Sequence, residues 1–490
     1  MNGSMIRFIL GYILKTEAIL LLLPCVVAGF YGETEGLSYL IAALLCGIFG
    51  FLICFRKPKN TVFYLKEGCV ATSLGWIFLS FFGCLPFLFT GEIPSFTDAL
   101  FETVSGFTTT GASILSDVEA LSHCSLFWRS FTHWIGGMGV LVFLLAIIPL
   151  SGGSHFNLMR AESPGPSVGK LVPTVRYTAR ILYLIYLSLT LLEIFLLLAG
   201  GMSLFDALNT GFGTAGTGGF GIKNDSIASY SPYIQWVVTI FMILFGINFN
   251  AYYLLMFRKL KKVLAMEEVR YYLLIIVAAI GIIFANILNT SAGIFDALTH
   301  SSFQVASIIT TTGFSTVDFN QWSQTCKSVL VLLMFIGACA GSTGGGIKVS
   351  RFVILIKTVI KELNSYIHPK SIKKIEFEKK PVAHEVVRAV NVYFITFMIL
   401  FVASVFAISF EGKDLITNFT AVAATINNIG PGLELVGPSQ NFSIFTSFSK
   451  YVLIFDMLAG RLELFPLLLL FHPTLWKDFF IGHRRKKRSS

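Results

Sequence analysis

A four-residue phrase, Thr108-Thr109-Thr110-Gly111, returns as Thr310-Thr311-Thr312-Gly313 and, in weaker form, as Thr214-Ala215-Gly216-Thr217-Gly218-Gly219 and Thr425-Ile426-Asn427-Asn428-Ile429-Gly430. A short amphipathic stretch precedes each copy, passing through Phe101, Leu208, Phe303 and the Phe419-Thr420 pair. A shared opening stands upstream of three copies: Phe96-Thr97-Asp98-Ala99-Leu100, Phe205-Asp206-Ala207-Leu208 and Phe295-Asp296-Ala297-Leu298, the third carrying about one extra helical turn. Each copy lies between two apolar runs. A stretch of half a membrane's thickness that ends in Thr and Gly predicts a short helix entering the membrane and returning as an extended strand. Non-helical backbone at membrane depth is tolerated only where it is buried in protein or lines water. Rings of backbone carbonyls can replace an ion's hydration shell there, and glycine permits the dihedrals this needs. Four copies in one chain would close one ring.

The chain has 490 residues, of which 54% are hydrophobic and 13% charged, with a mean hydropathy of +0.74. Soluble domains carry about a quarter charged residues, so this is a polytopic membrane protein whose first partner is the lipid bilayer. The net charge of +10 raises the question of nucleic acid, and the placement of the basic residues answers it. They fall in alternate loops: Arg56, Lys57, Lys59 and Lys66; Arg160, Lys170, Arg176 and Arg180; Arg258, Lys259, Lys261, Lys262 and Arg270; a long group from Lys348 to Lys380; and Arg484, Arg485, Lys486, Lys487 and Arg488. The intervening loops hold almost only Lys223 and Lys413. By the positive-inside rule both termini and all the basic loops are cytoplasmic. Nucleic acid is not a partner on this reading.

Taken in order, residues 1–60 form a two-span unit, with no small-residue cleavage site after the first span, so it reads as an anchor. Residues 61–155, 156–262, 263–380 and 381–475 then form four units of span, re-entrant loop and span, and 476–490 a basic cytoplasmic tail. Full spans supply the ~20 residues a bilayer needs, which predicts ten crossings. The fold class expected is an all-α polytopic membrane protein with four such repeats in pseudo-fourfold arrangement around one pore, preceded by two extra N-terminal spans.

Glycines recur near the middle of each second span: Gly136-Gly137-Met138-Gly139, Gly246, Gly337 with Gly341, and Gly460. Close helix packing explains small residues at such places. The third copy differs, because the run from Gly337 through Gly341, Gly344, Gly345 and Gly346 is too glycine-rich to hold a helix at ~1 kcal/mol per Gly. Only this second span is expected to be interrupted, and a break under the ring is a candidate gate. Acidic residues, among them Glu92, Asp98, Glu102, Asp117, Glu119, Asp206, Asp296, Asp414 and Glu434, fall in or beside the outer loops. Individually they read as solvated charges or helix caps, and together they would concentrate cations at the mouth. Two charges lie inside spans, where an ionisable residue is costly and usually functional. Glu193 is equally a paired structural residue or a transport residue. Arg461 follows Gly460 near mid-membrane. It is either paired with Asp456 or Glu463, or a fixed positive charge beneath the ring that contacts the gating loop.

Competing motifs are weaker. Gly211-Phe212-Gly213-Thr214-Ala215-Gly216 fits a dinucleotide pattern but has no βαβ surroundings. Gly341–Lys348 lacks the adjacent Gly-Lys pair of a phosphate loop, since Ile347 intervenes. The eight cysteines show no metal-site or disulfide spacing. His123, His133, His300 and His472 sit near span ends and pair with no carboxylate at metal-ligand spacing. No cofactor and no enzymatic activity are expected.

The stretches 102–113, 127–139 opening on Phe127-Trp128-Arg129, 303–315, 341–349 and 427–432 together resemble the Trk/Ktr/HKT superfamily of potassium transporters over essentially the whole chain. The extra N-terminal spans resemble its TrkH-type branch. The resemblance implies potassium uptake across the cytoplasmic membrane of a prokaryote, through a homodimer with one pore per subunit. It also implies assembly on a ring of cytosolic RCK-type, TrkA-like subunits that bind nucleotides. The transported potassium ion would meet a filter built from Thr109, Thr110, Gly111, Thr217, Gly218, Thr311, Thr312, Gly313, Asn428, Ile429 and Gly430, the choice between Gly218 and Gly219 staying open. The gate would comprise Gly337, Gly341, Gly344, Gly345, Gly346, Lys348 and Arg461. The rival readings are a symporter with obligatory proton or sodium coupling and a membrane-embedded enzyme; parallel repeats favour the pore over alternating access.

Overall fold

The structure, a computed structural model, describes residues 1–58, 64–139, 175–369 and 374–476. The tail basic cluster, Lys59, Arg160, Lys170, Lys370 and Lys373, and the distal half of the first repeat's second span lie outside the described residues.

The described chain is mostly helical. Helices α1 (Gly3–Leu20) and α2 (Leu22–Tyr31) run on from one another, and α3 (Gly36–Cys54) returns against α1. Their contact is backbone on backbone: a Cβ added at Gly11 would lie 2.7 Å from the Gly50 carbonyl oxygen. Small residues permit this approach where lipid removes the hydrophobic drive between helices.

Four similar units follow. The first holds α4 (Leu65–Gly83), α5 (Leu85–Thr90), the short α6 (Phe96–Phe107) and α7 (His123–Gly137). The second holds α8 (Val175–Ala199), the short α9 (Leu204–Gly216), α10 (Pro232–Phe245) and α11 (Phe249–Met256), with α12 (Leu260–Leu264) leading out of it. The third holds α13 (Glu267–Ile287), the short α14 (Ile294–Ile309), α15 (Gln324–Phe335) and α16 (Val349–Ile367). A two-stranded antiparallel hairpin, β1 (Glu376–Phe377) and β2 (Lys380–Pro381), precedes the fourth unit. That unit holds α17 (His384–Ser409), the short α18 (Leu415–Ile426), α19 (Ser447–Arg461) and α20 (Phe465–Leu469).

Six described helical stretches are long and apolar enough to cross a membrane: Gly3–Tyr31, Gly36–Cys54, Leu65–Thr90, Thr178–Ala199, Glu267–Ile287 and His384–Ser409. These are the two N-terminal spans and the first span of each unit. The second spans differ from the expectation that only the third is interrupted. Among the described residues, α10 stops at Phe245, α15 at Phe335 and α19 at Arg461, each beside its middle glycine, and α7 ends at Gly137, with the residues after Gly139 outside the described set. At the second break α11 leaves α10 at 92°. Two of the glycines at these ends are set by close approach to the short helices. A Cβ at Gly136 would lie 1.8 Å from the carbonyl oxygen of Phe107, the last residue of α6, and one at Gly460 would lie 2.0 Å from that of Ile426, the last residue of α18.

Candidate functional site

The four short helices span 12, 13, 16 and 12 residues. At 1.5 Å per residue the shortest are ~18 Å long, a little over half of the ~30 Å hydrocarbon core. Side chains cap three N-termini: Ser95 accepts from the Asp98 amide, Ser203 from the Asp206 amide and Asp414 from the Thr417 amide. Slight burial pushes the Asp414 carboxyl up, but the hydrogen bonds from Thr417 outweigh it and hold the group below its ordinary value.

At their C-terminal ends the chain turns back in one repeated conformation. Thr109, Thr217, Thr311 and Asn428 are left-handed, at φ of 55°, 54°, 59° and 55°. Two residues later stand Gly111, Gly219, Gly313 and Gly430, at 78°, 75°, 90° and 101°. The intervening amides of Thr110, Gly218, Thr312 and Ile429 donate to Ser105, Gly213, Ser307 and Ala424 at 2.8–2.9 Å. The second loop is thereby shifted by one from the sequence assignment. Gly218 is the counterpart of Thr110, Thr312 and Ile429, while Gly219 is the counterpart of the other three glycines. A neighbouring ring is the reason for the extra glycine: a Cβ at Gly218 would lie 2.3 Å from His133 Cγ. Left-handed conformations on β-branched threonine are strained, at ~1–3 kcal/mol each, and persist only where the surroundings over-determine them.

The loops abut in chain order. A Cβ at Gly111 would lie 1.9 Å from the Gly218 carbonyl oxygen, one at Gly219 would lie 2.0 Å from that of Thr312, and one at Gly313 would lie 2.1 Å from that of Ile429. The fourth contact returns to the first loop, with a Cβ at Gly430 lying 2.9 Å from the Thr110 oxygen. Any side chain at these glycines would displace the next loop's carbonyl. All four glycines open onto one cavity of about 200 Å³. Its charged lining side chains are Arg129 and Lys223, and no carboxylate lines it among the described residues. Of the acidic residues expected at the mouth, Asp98 pairs with Lys450 at 2.6 Å, Glu92 accepts the Ser122 amide at 2.7 Å and Asp206 accepts from Tyr230, while Asp117 and Glu119 hold the cavity-lining Asn224, accepting from its side chain at 2.8 Å and its amide at 3.0 Å. Carbonyls and the C-terminal ends of four helix dipoles add negative potential at the ring.

Buried polar contacts hold the ring. Thr108 donates to the Val104 carbonyl, and its hydroxyl meets that of Thr110 at 2.8 Å; Thr310 and Thr312 repeat this at 2.7 Å. Asn428 donates to Thr110 Oγ1 and to the Met457 carbonyl, both at 2.9 Å. His133 Nε2 accepts the Phe220 amide at 3.2 Å, so its Nδ1 carries the proton donated to the Gly106 carbonyl at 2.7 Å. Glu102 and Arg129 form a buried ion pair at 2.8 Å. Glu102 also accepts the Ile114 amide, and Arg129 donates to the Gly221 carbonyl and covers the Phe220 ring, tying the first two loops together. Sequence reasoning left Glu102 among the outer acids and set His133 aside. An arginine within an apolar helix was the one available signal.

Directly below the ring lies the segment 336–348. Ile336 and Ile347 form a parallel bridge, and the Gly337 amide donates to the Ile347 carbonyl at 2.8 Å. The Gly345 amide donates to Thr311 Oγ1 at 2.6 Å, and Lys348 Nζ donates to the carbonyls of Gly344 and Gly345. A Cβ at Gly345 would lie 2.7 Å from the Asn427 carbonyl oxygen. The break between α10 and α11 flanks it, with the Phe249 amide on the Gly341 carbonyl and the Cys339 amide on the Gly246 carbonyl, each at 3.0 Å. Arg461 joins loop and ring. Its Nη1 donates to Thr343 O at 3.0 Å and Thr109 Oγ1 at 3.2 Å, and its Nη2 to the carbonyls of Gly136 and Gly137. The acids considered as its partners are taken by others: Asp456 accepts from Ser404 at 2.7 Å, and Glu463 pairs with Arg351. Glu193 is fully buried in α8 beside Thr214 of α9.

These features define a multi-pass helical membrane protein, and its likeness to known proteins narrows the class. Residues 38–481 match the family model described as TrkH, Cation transport protein, so the chain belongs to that family. It is 35% identical over 490 residues to the Trk system potassium uptake protein TrkH of Salmonella typhimurium, covering 98% of this chain and 100% of that relative. With the Trk system potassium uptake protein TrkG of Escherichia coli it shares 33%, covering 98% of this chain and 100% of the relative. The crystal structure of the potassium transporter TrkH from Vibrio parahaemolyticus superposes with a TM-score of 0.87 at 33% identity, covering 97% of this chain and 100% of that one.

Proposed function

We propose that the chain conducts potassium into the cell through one pore, with the four loops as its selectivity filter in pseudo-fourfold arrangement. The observation that carries this reading is the circuit of glycine-to-carbonyl contacts, which runs through the four loops in order and closes on the first. Such a circuit holds backbone oxygens around a single axis, where they can replace a potassium ion's water shell. The left-handed Thr109, Thr217, Thr311 and Asn428 and the glycines two residues on set that geometry. Potassium as the ion is supported by the relatives, which are named potassium uptake proteins. One short ring offers fewer ion sites than a longer filter, so discrimination against sodium should be real but modest.

The segment 337–348 is the gate of this pore. It fills the space below the ring, and Arg461 places a guanidinium beside it, repelling cations and holding the closed position. Lys348 and Arg351 stand buried where the segment passes into α16 and hold it from within, while a cytosolic RCK-type, nucleotide-binding subunit acts on it from outside, with the channel chain a homodimer in the cytoplasmic membrane and both termini inside. The alternation of basic loops and the family membership support that assembly. Purified protein in liposomes tests the reading, with a potassium gradient as the only driving force. Uptake is expected; uptake that requires an added proton or sodium gradient would transfer the assignment to a coupled symporter.

A further inference from the structure

Helix α13 begins with two adjacent glutamates that face different partners. Glu268 is 3% exposed, and its Oε1 accepts the amides of Ala340 at 2.7 Å and Ser350 at 3.1 Å. Ala340 lies in the first half of the segment below the ring, and Ser350 lies in the first turn of α16, where that segment ends. One carboxylate oxygen therefore ties the first half of the segment to the helix that follows it and also caps the N-terminus of α16, a placement the helix dipole favours. Glu267 points the other way. Its Oε1 takes Lys357 Nζ and its Oε2 the Glu378 amide at 3.0 Å. Lys357 donates in addition to the Glu376 carbonyl at 2.8 Å. Glu378 and Lys379, at φ of 53° and 61°, are the two turn residues of the β1–β2 hairpin, the left-handed pair of a tight turn whose twist matches its strands.

We propose that Glu268 is a positioning residue for the gate, and that Glu267 and Glu268 together form a relay from the β1–β2 hairpin to the segment below the ring. Two residues on one helical turn cannot move independently. A displacement of the hairpin that draws Lys357 away frees Glu267, lets the first turn of α13 shift, and withdraws Glu268 from Ala340 and Ser350 at once. A partner acting on the hairpin thus reaches the pore without touching it. The part of this inference that concerns conduction rests on the gate reading; the mechanical coupling does not.

Cys339, fully buried beside Ala340, is a native reporter of the segment's position. Its alkylation by a small maleimide would be followed by peptide mapping on full-length protein in detergent, alongside potassium flux in liposomes. Glu268→Ala is expected to raise the Cys339 rate and the basal flux on the order of tenfold, as the loss of charge-assisted hydrogen bonds implies. Glu268→Gln keeps the single accepting oxygen and should stay near wild type. Lys357→Ala, far from the ring, should raise the Cys339 rate too, at unchanged potassium-to-sodium preference and unchanged folded yield. A Cys339 rate in Lys357→Ala equal to wild type would overturn the relay, and one unchanged in Glu268→Ala would overturn the positioning role. Faster alkylation with unaltered flux would uphold the coupling and instead refute the gate reading.

Discussion

The guanidinium of Arg461 lies 3.0 Å from the carbonyl oxygen of Thr343, joining α19 of the fourth unit to a loop of the third unit. The same nitrogen reaches Thr109 in the first loop of the ring, so one side chain clamps the segment below the ring to the ring itself.

Replacing Arg461 by Ala removes the clamp and the positive charge together. Basal potassium flux should rise severalfold, with the ratio of potassium to sodium permeability as in the wild type. A purely structural arginine would behave otherwise, lowering folded yield and leaving flux per molecule unchanged.

The one-residue shift in the second loop makes a prediction of its own. Gly218→Ala places a methyl against the His133 ring, so the added change His133→Ala should recover part of the lost folded yield, up to the level of His133→Ala alone. Gly219→Ala places it against the Thr312 carbonyl at a left-handed position, where an alanine pays roughly 1–2 kcal/mol for φ alone; His133→Ala should not rescue it. Rescue of Gly219→Ala, measured by size-exclusion yield and flux, would return the filter glycine to Gly218.

Gly111→Ser strains the first loop in the same way. A serine there sits at a left-handed position and displaces the Gly218 oxygen, so folded yield should drop and, in the fraction that folds, discrimination against sodium should fall. Potassium-to-sodium permeability equal to wild type would remove Gly111 from the filter.

The buried pair Glu102–Arg129 holds the outer ends of two loops. Glu102→Ala leaves an unpaired buried guanidinium and should cost about 3–5 kcal/mol, read as a lower Tm in detergent. Adding Arg129→Met removes that charge and should recover most of the loss. An unchanged Tm in the single variant would mean the pair contributes little.

Much of this was legible in the sequence, and the exceptions have physical causes. The repeated Thr-Gly phrases exposed the four loops because backbone demand at φ above zero is written directly in residue type. The break at Gly337 showed for the same reason, since clustered glycines cannot hold a helix. The ends of α10 and α19 were hidden: hydropathy runs on across 232–256, and α10 ends where Gly246 meets Tyr272 and Thr310 of the third unit, a tertiary contact that residue types do not show. The register of the second loop was ambiguous because Gly218 and Gly219 are adjacent, and only the His133 ring, a tertiary neighbour, distinguishes them. Arg461 stood out as a charge in an apolar helix, but its carbonyl partners could not be read from residue types. Glu268, one of two adjacent acids beside a basic loop, carries no sequence signal of its contacts, which are backbone amides distant in the chain.

The central claim is that four loops of one chain form a potassium-selective pore. Its most direct test is the reversal potential of purified protein in a planar bilayer, with potassium on one side, sodium on the other and equal pH. A current through wild-type protein that reverses toward the potassium equilibrium potential, with the reversal moving toward zero in Gly111→Ser, is the predicted result. No current in the absence of a proton or sodium gradient, or a reversal potential that Gly111→Ser leaves in place, would contradict it.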